Sequence, residues 1–315
     1  MNNPLVSVII PNYCHAKYLD QRIQSVLNQT YQNFEVIILD DASPDDGASR
    51  AVIEKYRENP HVTHIVYNEK NSGSTFKQWH KGIKLAKGEL IWIAESDDYC
   101  EHVFLSILVP YFSQFNNLSF CYSNIIPVTC DGKSNVGALT NYHNEVDLPY
   151  SLIGTDYIKK YCIVGCPIWN ASSVIFQKKY SNKCFMIEDF HAIGDYLFWI
   201  LLAEQGNVFK TNMFLSYFRR SNNTVTSNSL KTGISIIEMK KVYNYLSTKG
   251  YMSFYQKKYM KIYYVDQALS FPKSNQHYYE IQRIWNPYSF YNPRFMAFLW
   301  FLLKTIESIL LRKRQ

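Results

Sequence analysis

Four short apolar runs recur before residue 95: residues 5–10 (LVSVII), 34–39 (FEVIIL), 62–67 and 90–94 (LIWIA). Each is rich in β-branched residues and closed by polar or turn residues, as expected of buried parallel strands. Helical spacing fills the gaps. Leu19, Ile23, Val26 and Leu27 share one face, and Phe76, Trp79, Ile83 and Ala86 share another until Gly88 stops the helix. Ala51, Val52 and Tyr56 predict a helix after the turn Ser43-Pro44-Asp45-Asp46-Gly47. The alternation strand, helix, strand implies an α/β layer fold with a mostly parallel sheet. Such sheets bind ligands at the carboxyl ends of their strands. Asn12 and Tyr13, Asp40 and Asp41, and Asp97 and Asp98 fall at those ends.

Beyond residue 100 the pattern loosens. A helix is expected over 102–115, strands over 118–122, 172–177 and 215–218, and a loop-rich insert over 127–150. Residues 195–204 predict a helix ended by Gly206, and 231–270 read as helical with many Tyr and Lys. The tail 295–311 is mostly apolar and closes on Arg312-Lys313-Arg314. The chain therefore divides into a main domain, 1–228, and a helical extension, 229–315.

Composition narrows the class. Hydrophobic residues make up 47% of 315, so the chain folds around a core. A net charge of +7 favours anionic partners such as nucleotide phosphates or an acidic membrane surface. No basic nucleic-acid motif accompanies it, and no nucleic-acid partner is expected. Seven scattered cysteines without CxxC argue against a disulfide framework or zinc knuckle and suit a cytoplasmic protein. No signal peptide or transmembrane run is expected. Motifs of dinucleotide dehydrogenases, P-loop NTPases, zincins and α/β-hydrolases do not occur.

The strand-end acids carry the candidate chemistry. Adjacent carboxylates at Asp97-Asp98 repel each other unless a cation or donors stabilise them. Mg²⁺ typically takes one or two carboxylates plus substrate phosphates. Asp41 or its neighbour Asp40 could accept the N–H of a pyrimidine base, and Tyr13 could stack on it. Asp195 opens an amphipathic helix, as a cap or as a general base, with Glu188 and Asp189 in competition. Arg219 and Arg220 end a strand and could clamp phosphate. Solvated turns, helix caps and surface arginines are the plain alternatives.

Together these residues resemble the family 2 inverting glycosyltransferases of the GT-A fold, a Rossmann-like nucleotide-diphospho-sugar transferase architecture. The carrying segments are VSVIIPNY, SVLNQTYQNFEVIILDDAS, NSGSTFKQWHKGIKLAKGELIWIAESDDY and IGDYLFW, in that order. The resemblance makes 1–125 the nucleotide-binding half and 126–228 the acceptor half. It implies a base pocket lined by Pro11, Asn12 and Tyr13, with Asp41 and Ser72 on the uracil or thymine side. Asp97 would contact the ribose or share the metal, and Asp98 would coordinate Mn²⁺ or Mg²⁺ on the diphosphate. Asp195 would deprotonate an acceptor hydroxyl. Arg219 and Arg220 would face the diphosphate. The sequence departs from the family at Ser221, where a His is expected.

The implied reaction moves a sugar from a UDP- or dTDP-sugar to a glycan or lipid-linked glycan, as in bacterial surface polysaccharide assembly. The tail could hold the protein on the cytoplasmic face of the membrane or pack on the core as a C-terminal helix. Two rival readings are a metal-dependent sugar nucleotidyltransferase and a non-catalytic nucleotide-sugar-binding module. The first would need a Gly-rich loop with a basic residue near the N-terminus, which VIIPNYCHAK lacks.

Overall fold

A computed structural model of the chain describes residues 3–134, 149–220 and 225–286. The four apolar runs form β1 (Val6–Asn12), β2 (Phe34–Asp40), β3 (Val62–Tyr67) and β4 (Leu90–Ile93). The helices between them are α1 (Ala16–Leu27), α2 (Ala48–Glu54) and α3 (Thr75–Leu85). β1, β2 and β4 are buried along their whole length, because helices cover both faces of a parallel sheet. Leu19, Ile23 and Val26 of α1 are fully buried, each worth roughly 1.5–3 kcal/mol of transfer free energy. Arg22 lies in the same stripe and is also fully buried.

Five further strands complete the sheet: β5 (Tyr99–Cys100), β6 (Leu118–Val128), β7 (Tyr150–Leu152), β8 (Val174–Gln177) and β9 (Asn207–Arg219). The order is β3-β2-β1-β4-β8-β6-β9-β5, with β7 also on β9. The half from β3 to β4 is parallel throughout. β8 runs antiparallel between β4 and β6, and β6 and β9 are again parallel. The chain leaves β1 in one direction to β2 and β3, and β4 lies on the other side. That switch point opens a crevice between the ends of β1 and β4, where α/β sheets bind ligands.

The middle differs from the sequence reading in detail. The helix expected over 102–115 is two short ones, Phe104–Leu108 and Tyr111–Gln114, separated at Pro110, which has no amide proton to continue the ladder. The strand expected over 215–218 is the end of the longer β9, whose Lys210, Thr211 and Asn212 hide the apolar pattern. Most of the loop-rich insert and the whole tail 295–315 lie outside the described residues.

Two compact units divide the chain: Met1–Cys162 with Cys166–Asn222, and Ile163–Gly165 with Asn223–Gln315. The second contains helices Val225–Thr232, Ile234–Thr248, Phe254–Ser270 and Tyr278–Trp285. Breaks at Gly233 (φ 84°) and Gly250 (φ 73°) interrupt the helical stretch, and Ser253 with Gln256 forms a capping box for the next helix. Trp285 is buried among Tyr243 and Tyr264. No helix among the described residues is long and apolar enough to cross a membrane.

Candidate active site

The first wall of the crevice is the end of β1 and β2, which pair in register from Val6 with Phe34 to Asn12 with Asp40. Asn12 is buried, and its Nδ2 donates to Asp40 Oδ1 at 2.7 Å. Ser43 Oγ donates to the same oxygen at 2.7 Å and accepts from the Cys14 amide at 2.9 Å. Asn12 Nδ2 and Asp40 Oδ1 thus join the two strand ends. Cys14 (φ 58°) and Ala42 (φ 56°) follow in left-handed backbone that non-glycine residues seldom adopt. Such strain persists where surrounding bonds over-determine it, often beside a functional site. Tyr13 stands out from this wall, 45% exposed, while Pro11 is buried within β1.

Asp41 is held from several sides although it is almost wholly buried. Its Oδ1 accepts from the Ser72 amide at 2.9 Å, Gln78 Nε2 at 2.9 Å and Asn68 Nδ2 at 2.5 Å. Among the described residues its Oδ2 accepts only from Ser72 Oγ, at 2.7 Å. Hydrogen bonds to a carboxylate are each worth about 1.5–3 kcal/mol, so the group is fixed in direction with one oxygen lightly used. Ser72 therefore acts by orienting Asp41.

The second wall is the turn Glu95-Ser96-Asp97-Asp98 after β4, and the two aspartates differ. Asp98 is 2% exposed. Its Oδ1 accepts from the Arg219 amide at 2.9 Å, and its Oδ2 from Ser172 Oγ at 2.7 Å and Asn170 Nδ2 at 2.9 Å. Arg22 Nη2 lies 3.9 Å from Oδ2. No side chain among the described residues donates to the Asp97 carboxylate, which is bonded only by its own amide. Burial raises both aspartates above the usual carboxylate range, and Asp97 raises Asp98 further, against the pull of Arg22. Glu95 is pushed up to about 8 by burial and then by Asp97, although Trp79 Nε1 donates to its Oε1 at 2.8 Å.

Two arginines brace this turn from opposite sides. Arg22 Nε donates to the Glu95 carbonyl at 2.9 Å, while its two terminal nitrogens have no hydrogen-bond partner among the described residues. Arg219 Nε donates to the Asp97 carbonyl at 2.8 Å, Nη2 to Gln21 Oε1 at 2.7 Å, and Nη1 to the carbonyls of Thr129 and Cys130 at 3.2 and 3.0 Å. Its guanidinium also lies 4.4 Å from the Tyr18 ring centroid. Each side-chain nitrogen of Arg219 thus donates to protein, and the residue braces the turn that carries Asp97 and Asp98. Arg220 is exposed at the end of β9. Ser221 lies outside the described residues.

Asp195 sits in the first turn of helix Gly194–Ala203. The segment before it docks on the Asp41 cradle: Ser74 Oγ donates to the Phe190 carbonyl at 2.6 Å, and His191 Nδ1 meets the Gly73 carbonyl at 2.9 Å. A Cβ at Gly194 would come within 2.7 Å of the Phe76 ring, so glycine lets the helix start this close. Trp79 packs against Phe198 and Trp199 of the same helix, with ring centroids 5.7 and 6.1 Å away. The fold therefore gathers Asp41, Ser72, Asp97, Asp98 and the Asp195 helix around one crevice.

Sequence reasoning did not single out Arg22, Gln78, Glu95, Asn170 or Ser172. Arg22 alone had a legible signal, a charge inside the apolar stripe of α1. The others are ordinary polar residues whose partners are distant in sequence.

A mixed sheet with a parallel half, a switch-point crevice and acids at the strand ends fit the GT-A fold. Residues 7–162 match the family model described as "Glycosyl transferase family 2". The chain belongs to that family. It is 27% identical over 229 residues to the putative teichuronic acid biosynthesis glycosyltransferase TuaG of Bacillus subtilis, covering 72% of this chain and 84% of TuaG. It is 35% identical over 114 residues to the poly(ribitol-phosphate) beta-N-acetylglucosaminyltransferase TarP of Staphylococcus aureus, covering 36% of this chain and 34% of TarP. Among solved structures, S. aureus TarS 1–349 in complex with UDP-GlcNAc matches with TM-score 0.60 and 18% identity, over 89% of this chain and 78% of that one. Mannosyltransferase PcManGT from Pyrobaculum calidifontis, in complex with GDP-Man and Mn²⁺, matches with TM-score 0.56 and 13% identity, over 99% of this chain and 81% of that one. These last two likenesses concern the fold.

Proposed function

We propose that this glycosyltransferase moves a sugar from a UDP- or dTDP-sugar to a hydroxyl of a glycan or lipid-linked glycan, with inversion at the anomeric carbon. The observation that carries the donor reading is the buried Asp41 carboxylate, oriented by four donor groups and keeping one oxygen with a single partner. An oriented acceptor beside the exposed Tyr13 ring suits the imide N–H of uracil or thymine. Asp195 takes the proton of the acceptor hydroxyl as it attacks from the face opposite the diphosphate.

The donor set suits a divalent cation only in part. The described residues contain no group of three metal-ligating side chains. Mg²⁺ and Mn²⁺ sites on diphosphates need few protein ligands, since phosphate oxygens and water complete the shell. Asp97 meets that need, whereas Asp98 has both oxygens occupied by protein donors. The proposed roles are therefore Asp97 as the metal ligand and Asp98 as the anchor of the turn. When bound, the cation supplies positive charge beside the diphosphate. Arg219 holds the Asp97 backbone in place, and Arg220 remains as the strand-end cation on the donor side.

The charge distribution supports a membrane surface as a partner. Residues 223–315 carry 14 basic and 4 acidic residues, whereas residues 1–222 carry 19 and 22. A cationic extension on an acidic main unit suits attraction to anionic lipid where lipid-linked acceptors reside.

The test of the whole reading is release of nucleotide diphosphate from a panel of UDP-, dTDP- and GDP-sugars with Mn²⁺, with and without glycan acceptors. Acceptor-dependent release of UDP or dTDP is the expected result. Pyrophosphate-dependent formation of a sugar nucleotide, or a preference for GDP-sugars, would overturn it.

A further inference from the structure

The helix Phe254–Ser270 buries Met260, Tyr264, Val265 and Ala268, and Tyr264 stacks on Trp285 with ring centroids 4.7 Å apart. Its outer face begins differently from that of most helices in water, where polar residues prevail. The exposed positions of its first two turns are Phe254, Tyr255, Lys258 and Lys261. Phe254 is 67% exposed and Tyr255 82%. Phe254, Lys258 and Lys261 lie four and three positions apart, so they share one side of the helix. The Lys258 ammonium stands 5.5 Å from the Phe254 ring centroid, and the two rings meet edge to face at 5.8 Å.

The rings project from a fixed backbone. Ser253 Oγ accepts from the Gln256 amide at 3.2 Å, and Gln256 Oε1 accepts from the Ser253 amide at 2.8 Å. Tyr243 Oη donates to the Lys257 carbonyl at 3.4 Å, which ties the same turn to the preceding helix. The surrounding charge has one sign. Between Glu238 and Asp266 the chain holds six lysines and no acidic residue.

Exposed rings beside lysines suit the border of an anionic bilayer. There an aromatic ring enters the headgroup layer while ammonium groups reach lipid phosphates. A second copy of the chain fits less well. Two rings fall short of the roughly 800 Å² per partner that a stable interface buries. A two-fold contact through this patch would also set its lysines against their own counterparts.

We infer that the start of the helix Phe254–Ser270 is a membrane-docking face, which inserts Phe254 and Tyr255 among anionic lipid headgroups while Lys258 and Lys261 pair with lipid phosphate. The inference rests on the membrane-surface reading of the cationic extension. It adds an inserted apolar contact at a stated place, which charge alone does not supply.

Flotation of the full chain with phosphatidylglycerol vesicles tests it. The double variant Phe254→Ala, Tyr255→Ala keeps the charge and should bind about tenfold more weakly. Phe254→Leu with Tyr255→Trp should restore binding. Lys258→Gln with Lys261→Gln should weaken it about tenfold. UDP binding by calorimetry and helix content by circular dichroism should match the unaltered chain in all three. Flotation undiminished by the alanine pair would overturn the docking face and leave the charge reading standing. An unaltered chain that fails to float would overturn both. Light scattering that shows a dimer lost in the alanine pair would give the face to a second copy. Binding of soluble polyphosphate that falls in step with flotation in the alanine pair would give it to a polyanion. Either result would overturn the inference.

Discussion

Trp79 Nε1 donates to Glu95 Oε1 at 2.8 Å, and the same indole packs against Phe198 and Trp199. One side chain thus joins α3, the turn after β4 and the helix that begins with Gly194 and Asp195. The distance between the donor-side acids and the proposed base depends on it. Trp79→Phe keeps most of the packing and removes the donor. It should lower stability by about 1–2 kcal/mol and reduce turnover while leaving UDP affinity nearly unchanged. Thermal melts, calorimetry and UDP release measure the three. An equal loss of UDP affinity would show that the indole serves the nucleotide pocket instead.

The two aspartates should separate cleanly. Asp97→Asn is expected to leave stability within about 0.5 kcal/mol and to remove the Mn²⁺ dependence of UDP binding. Asp98→Asn replaces an acceptor of three hydrogen bonds and should cost about 2–4 kcal/mol of unfolding free energy. Denaturant titration together with UDP calorimetry with and without Mn²⁺ checks both. A destabilised Asp97→Asn with intact metal dependence would return the metal to Asp98.

Removing the proposed base should spare binding. Asp195→Asn keeps the helix start and should lower transfer by about 10²–10⁴-fold with UDP-sugar affinity retained. Transfer at the original rate would move the role to Glu188 or Asp189.

At the opposite end of the sheet, Glu35 should set part of the acid stability. Burial pushes its carboxyl up, but Ser7 Oγ at 2.6 Å, the Lys87 amide at 2.6 Å and Thr63 Oγ1 at 2.9 Å outweigh burial and hold it below its ordinary value. A depressed carboxyl contributes stability that is fully present above the unfolded value, near 4.3, and is lost as pH falls through the folded one. Glu35→Gln should cost about 1–2 kcal/mol at neutral pH and flatten the stability profile below pH ~4.5. Parallel profiles for both proteins would contradict the assignment.

The cationic extension should bind anionic membranes through charge. The full chain is expected to float with phosphatidylglycerol vesicles at low salt, to stay behind with phosphatidylcholine, and to be released at about 0.5 M NaCl as charges are screened. Removing residues 295–315 should weaken flotation. Equal behaviour on both lipids would exclude the electrostatic account.

Periodicity alone determined the strand and helix alternation through β4, because burial on both faces of a parallel sheet writes itself as short apolar runs. It also placed Asp41 and the Asp97-Asp98 pair at strand ends. It could not resolve β9, where Lys210, Thr211 and Asn212 interrupt the apolar signal. Nor could it show how differently the two aspartates are held, since two adjacent carboxylates look alike in sequence. Tertiary structure decided that, by bringing Asn170, Ser172 and Arg219 from 72, 74 and 121 positions away onto Asp98. The same closure sets Arg219 against the carbonyls of Asp97, Thr129 and Cys130. How a buried carboxylate or guanidinium is oriented depends on its hydrogen-bond partners, and those are residues that only the folded chain makes neighbours.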